Sequence, residues 1–323
     1  MKTAKDSIRA SMRAGWPVLL IGQPGIGKTS VCQQVADEMG YSLLVEVATT
    51  ADPSDARGLP AVVDGKAEYQ PYGLMRKLIE TKNPTLCLID DLGPATGEVQ
   101  KAYMHLVLAR RAGQFPISDH VRFVAATNDV GKKAGISGII SPLQNRFFHV
   151  RVKPHLETWV SWAQENKLRP EVIGFVRSTP TLFDGFKSPV GIEATCTPRS
   201  LHMVSDFMNA GATSLQAYQG CIGEGIGRQL VAYCKLYQEL VTVEQIKQDP
   251  KKAPIPEQLD RRYAVCAAIA CSNDEWDRLI VYVSRFPKEL QVMCISDALS
   301  RHKELYQDNN IRSWMKDNKA VLL

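Results

Sequence analysis

The chain has 323 residues, a hydrophobic content of 45%, a charged content of 23% and a formal net charge of +5, which together exclude a disordered protein. Residues 1–150 carry 17 Lys and Arg against 14 Asp and Glu, and the remainder carries 22 against 20. Because a dedicated nucleic-acid binder more often concentrates its basic charge, this even spread disfavours DNA as the main partner. No apolar run reaches the roughly 18 to 20 residues of a membrane span, and the charged N-terminus lacks the apolar core of a secretory signal.

The eight cysteines are scattered along the chain without CxxC pairs and without histidines at metal-ligand spacing. Cys87 lies inside an apolar run, where it is interpreted as a small core residue. This pattern is typical of a reducing compartment and gives no zinc signal. We therefore expect a cytoplasmic protein.

The first half of the chain alternates short apolar runs with helical patterns. Continuous apolar strands separated by helices indicate a parallel sheet that is covered on both faces. The sequence therefore predicts an α/β fold with five strands in this half. The candidate strands are 17–22, 42–48, 85–91, 121–128 and 147–152.

From about Lys153 the pattern changes to apolar residues at three-to-four spacing, which predicts helices. The segment KQDPKKAPIP at 247–256, with three prolines and three lysines, is the most linker-like part of the chain. A final helical block follows it. We expect three regions, namely an α/β core at 1–152, a helical domain at 153–246, and a linker with a C-terminal helical extension at 247–323.

The stretch GQPGIGKT at 22–29 matches GxxxxGK[ST] between a predicted strand and a predicted helix, which is the context that this motif requires. Its glycines allow backbone N–H groups to point at phosphate oxygens. Lys28 is placed to reach the β- and γ-phosphates, and the Thr29 hydroxyl to bind Mg²⁺. The alternative is a glycine-rich turn with an accidental lysine. The predicted nucleotide-binding residues are Gly22, Gln23, Pro24, Gly25, Ile26, Gly27, Lys28, Thr29 and Ser30.

Two adjacent aspartates end the apolar run TLCLIDD at 85–91. Asp90 suits the Walker-B role, in which a carboxylate at the end of a buried strand serves the Mg²⁺ of the nucleotide. Asp91 points the other way and is placed to orient or deprotonate the attacking water. One of the pair could instead cap the helix after Pro94, since aspartate is a good N-cap residue. Asn128, at the end of the next run, could hold the water as a sensor, although asparagine also suits any strand-end turn.

Assembled in this order, these residues resemble an AAA+ ATPase: a Walker A motif, an apolar run ending in Asp-Asp, a strand-end Asn and the segment SPLQNRF. Within AAA+, the chain is similar to the MoxR-like branch, which is related to the dynein-type AAA modules. Two stretches carry this similarity, TTADPSDARGLP at 49–60 and AATNDVGKKAGISGIISPLQNRF at 125–147. The resemblance implies a P-loop AAA+ core, a helical lid at 153–246 and a helical extension after it.

The resemblance also assigns roles to two arginines. Arg146 in QNRF falls at the arginine-finger position, which in such rings reaches the nucleotide of the neighbouring subunit and stabilises transition-state charge. Arg199 in CTPRSL resembles the sensor-2 arginine at the start of a lid helix, and Pro198 supports that helix start. Either arginine could instead be an exposed surface residue. The predicted catalytic residues are Asp91, Asn128, Arg146 and Arg199, with Thr29 and Asp90 at the metal.

In one respect the chain departs from the family pattern, because AAA+ proteins usually carry Asp-Glu where it has Asp90 and Asp91. The second carboxylate is one methylene shorter and needs a small shift or an intervening water to act as a base. We therefore expect slow but real hydrolysis. A second feature, LPAVVDGKAEYQPYG at 59–73, resembles the helix-2 insert with VDGKAEY as a hairpin. Tyr69 and Tyr72 are candidate client contacts there, although aromatics in hairpins more often pack locally.

The resemblance implies an ATP-driven remodeller of a protein client that works as a homo-oligomeric ring, expected as a hexamer, with Mg²⁺ and ATP between subunits. The MoxR-like branch further implies a partner with a von Willebrand factor A domain. A DNA-dependent motor or loader is an alternative, and it requires a basic stripe with aromatics on the pore face. A nucleotide-gated scaffold with little turnover is another, which the Asp-Asp pair allows. A small-molecule kinase would leave the finger, sensor and lid residues unexplained.

Overall fold

The structure is a computed structural model that describes residues 2–129, 138–183 and 193–318. Part of the predicted family stretch 125–147 therefore lies outside the described residues. The chain divides into two units, Met1–Lys153 and Pro154–Leu323. Within the described ranges, no helix is both long and apolar enough to cross a membrane.

The first unit is built on a parallel sheet. The strands of this unit are β1 (Val18–Ile21), β2 (Ser42–Val47), β3 (Leu59–Val63), β4 (Lys66–Gln70), β5 (Thr85–Asp90), β6 (Arg111–Ala112), β7 (Phe115–Pro116), β8 (Val121–Thr127) and β9 (Phe148–Arg151). Five of them form the sheet in the order β2-β5-β8-β1-β9, and all neighbouring pairs are parallel. These five strands lie within the five predicted ranges, so the predicted α/β fold is confirmed.

Apolar runs form the centre of this sheet because both of its faces are covered. In β5, four successive residues from Leu86 to Ile89 are fully buried. The surrounding helices are α1 (Lys2–Ala14), α2 (Lys28–Met39), α3 (Pro53–Arg57), α4 (Gly73–Glu80), α5 (Gly97–Ala109) and α6 (Ser141–Gln144). Residues of α4, α5 and α6 share one hydrophobic core with β5 and β8. Because β5, β8 and β1 are neighbours in this order and run parallel, their carboxyl ends lie next to one another at the same end of the sheet.

Strands β3 and β4 form the antiparallel hairpin that the sequence predicts within 59–73. Asp64 and Gly65 make its two-residue turn with φ of +50° and +74°, as expected for the Asp-Gly pair in a type I′ turn. A second short hairpin, β6–β7, was not foreseen, since its strands have two residues each. Gln114 in its turn donates a 2.8 Å hydrogen bond to the backbone oxygen of Tyr69, so the two hairpins are in contact.

The second unit is helical, as predicted. Its helices are α7 (Leu156–Glu165), α8 (Pro170–Ser178), α9 (Pro198–Asn209), α10 (Leu215–Ile222), α11 (Glu224–Gln238), α12 (Val243–Gln248), α13 (Leu259–Ile269), α14 (Trp276–Val283), α15 (Lys288–Arg301) and α16 (Asn309–Asp317), with 3-10 turns at Pro180–Phe183 and Lys303–Gln307. They enclose two hydrophobic cores, and α13 contributes Ala264 to one and Val265 to the other.

The segment 247–256 is packed rather than free. Ala253 is buried, Arg285 donates 2.8 Å hydrogen bonds to the backbone oxygens of Pro250 and Ala253, and the Tyr282 hydroxyl donates to Pro254 at 2.8 Å. These contacts hold the segment against the end of α14. The division of this unit into a lid at 153–246 and an extension at 247–323 stays a prediction.

A buried ion pair joins α8 and α15 in the second unit. Arg177 donates to Asp297 through two hydrogen bonds of 2.7 and 2.9 Å, and Gln164 donates to the same carboxylate at 3.1 Å. Burial raises the pKa of Asp297 to about 6, against the opposing influence of the Arg177 guanidinium. Breaking this pair would leave a buried charge without its partner, so it constrains how α8 and α15 pack.

Candidate nucleotide site

The loop between β1 and α2 has a backbone that only glycine accommodates at three positions. Gly25 and Gly27 have φ of +74° and +93°, where side chains with a Cβ are strained. At Gly22 a Cβ would lie 2.6 Å from the Ile26 side chain and 2.6 Å from the Val152 oxygen. The glycines of the motif are thus required by the shape of the loop itself.

The loop leads into the positive end of a helix. Gly27 is the N-cap of α2 and supplies no side-chain cap, and the first turn of α2 holds no acidic residue. The first N–H groups of a helix have no partner within it, and the helix dipole favours an anion there. A phosphate group fits this helix start. Ile26 is buried, so any contribution from it comes through its main chain, whereas Pro24 and Ser30 are exposed at the loop surface.

Lys28 extends from this helix start across the ends of the strands. It is 7% exposed, and its Nζ donates to the backbone oxygens of Gly22 at 2.9 Å and Gln23 at 3.0 Å. The same Nζ donates to Asn128 Oδ1 at 2.8 Å. The ammonium group is therefore held between the loop and the end of β8.

Thr29 lies beside the end of β5. Its hydroxyl donates a 2.8 Å hydrogen bond to Asp90 Oδ2, and Asp90 Oδ1 accepts from the Asp91 N–H at 3.0 Å. A hydroxyl and a carboxylate are hard oxygen donors of the kind that Mg²⁺ prefers. This donor set therefore fits the metal role that the sequence predicts for these two residues.

Asp91 is held in the left-handed region with φ of +51°, which aspartate tolerates better than most residues. Its Oδ1 accepts a 3.3 Å hydrogen bond from Asn128 Nδ2. Asn128 thus connects Lys28 to Asp91 through the two ends of one amide. The alternative that an aspartate caps the following helix is wrong, because Thr96 is the N-cap of α5 and its side chain accepts from the Val99 N–H.

Two residues that the sequence analysis did not select support Asp91. The N–H of Leu92 donates to the Ala126 oxygen at 2.9 Å, and Gly93 lies so close to β8 that a Cβ there would be 2.1 Å from Thr127 Oγ1. The loop after Asp91 is thereby fixed against the end of β8. A glycine two positions after an Asp-Asp pair is the signal that could have indicated this contact.

Burial keeps one nearby thiol neutral. Cys32 is fully buried in α2, and burial, followed by the negative charge of Asp90, raises its pKa to about 12. Cys32 is therefore a packing residue behind the site rather than a nucleophile.

Arg146 follows the one-turn helix α6. Its N–H donates to the Leu143 oxygen at 3.2 Å, and both Leu143 and Phe147 are buried in the core of the first unit. Arg146 itself is exposed, and its side chain forms no hydrogen bond or ion pair with the residues that the structure describes. The structure does not bring it to Lys28 or Asp91.

Arg199 belongs to the second unit. It lies in the first turn of α9, exposed to solvent. Pro198 begins that helix, and Thr197 and Ser200 form a capping box at its start, so the predicted helix start is found. The structure therefore brings together the loop, Asp90, Asp91 and Asn128, while the roles of Arg146 and Arg199 stay predictions.

The two candidate aromatic contacts differ in their surroundings. The Tyr72 hydroxyl donates to Asp55 at 2.5 Å and lies 3.1 Å from the Ser54 hydroxyl, so Tyr72 is engaged locally. Tyr69 remains 43% exposed on the β3–β4 hairpin. Of the two, Tyr69 alone keeps the exposure that a client contact requires.

Comparison with known proteins gives a family match for the first unit. Residues 17–147 match the family described as AAA domain (dynein-related subfamily). Midasin of Giardia intestinalis is similar, with 27% identity over 160 residues. The aligned region is 46% of this chain and 3% of that protein, so the chain corresponds to a small part of this relative.

Solved structures with a similar arrangement include a RuvB variant from Thermotoga maritima, at a TM-score of 0.41 and 15% identity over 95% of this chain and 87% of that chain. A protein of known structure from Cytophaga hutchinsonii is similar at a TM-score of 0.36 and 11% identity, over 98% of this chain and 88% of that chain. Likeness at this level does not assign a function. What the comparison shows is a match of residues 17–147 to the AAA domain (dynein-related subfamily), in the part of the chain that holds the parallel sheet and the glycine-rich loop.

Proposed function

We propose that this chain binds and hydrolyses ATP with Mg²⁺ in the site at the ends of β1, β5 and β8. The observation that carries the proposal is a pair of side-chain connections across the sheet. Thr29 is joined to Asp90 at 2.8 Å, and Asn128 joins Lys28 at 2.8 Å to Asp91 at 3.3 Å. Phosphate-binding, metal-binding and base groups thus lie side by side.

Each residue has a definite part in this reaction. The loop amides and Lys28 bind phosphate oxygens, and Thr29 and Asp90 hold Mg²⁺, which when bound neutralises charge on the phosphates. Asp91 accepts the proton of the attacking water. Asn128 orients the Asp91 carboxylate through its amide group, because it is itself held by Lys28.

The Asp-Asp pair sets the expected rate. Asp91 is one methylene shorter than the glutamate that AAA+ proteins usually carry, and its backbone is fixed by the contacts of Leu92 and Gly93 with β8. The loop therefore has little freedom to move the carboxylate closer to a water. Slow turnover follows from this arrangement.

The arginines extend the proposal to an assembly. The exposed Arg146 would complete the nucleotide site of a neighbouring copy, and Arg199 would contact nucleotide from the lid of its own subunit. Both roles rest on the resemblance to AAA+ proteins, as does a ring of six subunits. The exposure of both arginines is compatible with contacts of this kind.

The β3–β4 hairpin favours a protein client. Its exposed side chains are largely apolar: Leu59, Val62, Val63 and Tyr69. The hairpin carries one lysine against one aspartate and one glutamate, so it offers no basic stripe to a nucleic acid. Exposed apolar patches mark sites of protein interaction. We propose a MoxR-like remodelling role, in which a protein with a von Willebrand factor A domain is one expected partner.

A nucleotide-gated scaffold is the second candidate, and the short, fixed Asp91 favours it. Such a protein would assemble with ATP and release little phosphate. A DNA-dependent motor or loader is a third candidate, and the phosphate-release experiment below distinguishes it from the other two.

The test is phosphate release from the purified chain over a series of protein concentrations, with and without single- and double-stranded DNA. An Asp91→Asn variant runs in parallel. Specific activity that rises with concentration, is unaffected by DNA and is lost in the variant is expected. Stimulation by DNA would establish the motor instead. Assembly with ATP but without phosphate release would establish the scaffold.

A further inference from the structure

A buried glutamine joins the site loop to the segment that carries Arg146. Gln100 lies in the first part of α5 and is fully buried. Its Nε2 donates to the backbone oxygens of Gly93 at 3.2 Å and Ala95 at 3.0 Å, and its Oε1 accepts from the Ile140 N–H at 2.9 Å. Both amide protons and the amide oxygen are thus engaged.

One side of this bridge is the loop that positions Asp91. Leu92 is bound to β8 through Ala126, and Gly93 packs directly against Thr127. Gln100 binds the backbone oxygens of Gly93 and Ala95 in this loop. Any shift of the loop away from β8 would therefore pull on the Gln100 amide.

The other side is the start of α6. Ile140 is the N-cap of this helix, and its oxygen accepts from the N–H groups of Leu143 at 2.9 Å and Gln144 at 3.1 Å. Arg146 follows within one further turn, bonded back to Leu143. A displacement of Ile140 would be carried through this short helix to Arg146.

We propose that Gln100 is a positioning residue that couples the nucleotide site of one subunit to the arginine which that subunit presents to its neighbour. The inference rests on the proposed function and deepens it, since it names the route between two sites of a ring. The physical reason is that a buried amide cannot release a partner without leaving polar groups unpaired. A movement of the loop must then be accompanied by a movement of the start of α6, and the reverse also holds.

The second unit supplies a matched control. Gln291 is also buried, its Nε2 donates to the backbone oxygens of Ser284 at 3.1 Å and Phe286 at 2.7 Å, and its Oε1 accepts from Trp314 Nε1 at 3.2 Å. Its Oε1 also accepts from the Lys288 ammonium at 3.3 Å, and all of these bonds connect segments of the second unit only. A substitution at Gln291 measures what the loss of a buried glutamine costs without touching the proposed route.

The experiment compares full-length wild type, Gln100→Met and Gln291→Met by amide hydrogen exchange with and without ATP and Mg²⁺, and by steady-state kinetics. Nucleotide is expected to slow exchange at 22–30 in all three proteins. It is expected to change exchange at 139–147 in the wild type and in Gln291→Met but not in Gln100→Met. In Gln100→Met, kcat should fall about tenfold while KM for ATP changes less than about twofold.

A second pair of variants tests the hydrogen bond between Gln100 and Ile140 from the Ile140 side, in case Gln100→Met does not fold. Ile140 has φ of −58°, which proline can adopt, so Ile140→Pro removes the donated N–H, while Ile140→Ala keeps it. Loss of the nucleotide response at 139–147 in Ile140→Pro but not in Ile140→Ala supports the coupling.

The outcomes separate the two proposals. A response at 139–147 in Gln100→Met or Ile140→Pro that equals that of the wild type would overturn the coupling and leave the proposed function intact. A wild type in which ATP gives no protection at 22–30 would instead overturn the nucleotide site, and the coupling with it.

Discussion

Asn128 Oδ1 accepts a 2.8 Å hydrogen bond from Lys28 Nζ, although the two residues are 100 positions apart along the chain. The opposite end of the Asn128 amide donates to Asp91. A strand-end asparagine therefore links the phosphate-binding lysine to the proposed base, and its substitution should affect chemistry more than binding.

Asn128→Ala should lower kcat for ATP hydrolysis on the order of tenfold, because Asp91 would lose the donor that orients it. KM for ATP should change little, since Lys28 keeps its contacts with the loop. Steady-state phosphate release gives both constants. An equal loss in binding, measured by titration with ADP, would contradict an orienting role.

Substitution of Asp91 tests the effect of carboxylate length. Asp91→Asn should reduce kcat on the order of 100-fold or more, because the proton acceptor is removed. Asp91→Glu should raise kcat several-fold by extending the carboxylate toward the water. The same change should cost about 0.5–1 kcal/mol of stability, since glutamate tolerates the left-handed backbone less well than aspartate. Phosphate release and urea unfolding measure the two effects, and unchanged activity in Asp91→Asn would exclude Asp91 as the base.

Gly93 and Thr127 should show strong coupling. Gly93→Ala places a Cβ 2.1 Å from Thr127 Oγ1 and should destabilise the protein by about 1–3 kcal/mol. In the double variant Gly93→Ala/Thr127→Ala the contact with Oγ1 is removed and only the Cβ of position 127, at 3.3 Å, remains close, so most of that loss should be recovered. Urea unfolding of the four proteins of this cycle supplies the coupling energy. Additive effects would mean that the loop does not depend on this contact.

The Arg177 contacts in the second unit differ in burial. Asp297→Ala should destabilise the protein by about 3–5 kcal/mol, because Arg177 would remain buried without its carboxylate. Glu157 also pairs with Arg177, at 3.2 Å, but its side chain is 62% exposed. Glu157→Ala should therefore cost less than about 1 kcal/mol. Thermal or urea unfolding distinguishes the two, and equal losses would refute the burial argument.

Stability should depend on pH through Asp297. Its folded-state pKa of about 6 is above the value of about 3.9 for an unfolded chain, so the folded state holds the proton more tightly. The stabilising contribution of this proton is complete below about pH 4 and is lost as the pH rises through about 6. The free energy of unfolding of the wild type, measured relative to Asp297→Asn, should fall across this window. A difference that rises with pH would contradict the assigned direction.

Short stretches of sequence were sufficient to predict the strands of the sheet, the phosphate loop and one hairpin turn. The five strands of the sheet follow from continuous apolar runs, and the loop at 22–29 follows from glycines and a lysine between a strand and a helix. Asp64 and Gly65 were sufficient to indicate the β3–β4 turn. Each of these features depends on neighbours in the chain, because backbone conformation and strand burial are reflected in short stretches of sequence.

The sequence by itself therefore determined the α/β class, the phosphate loop, and the placement of Asp90, Asp91 and Asn128 at strand ends. Only the tertiary structure decided that Asn128 lies between Lys28 and Asp91, that Thr127 packs on Gly93, and that Gln100 joins the site loop to Ile140. The reason is that a buried polar group takes its partners from segments far away in the chain. Those partners depend on the order of strands in the sheet and on the packing of α5 and α6 against it, which no local pattern specifies.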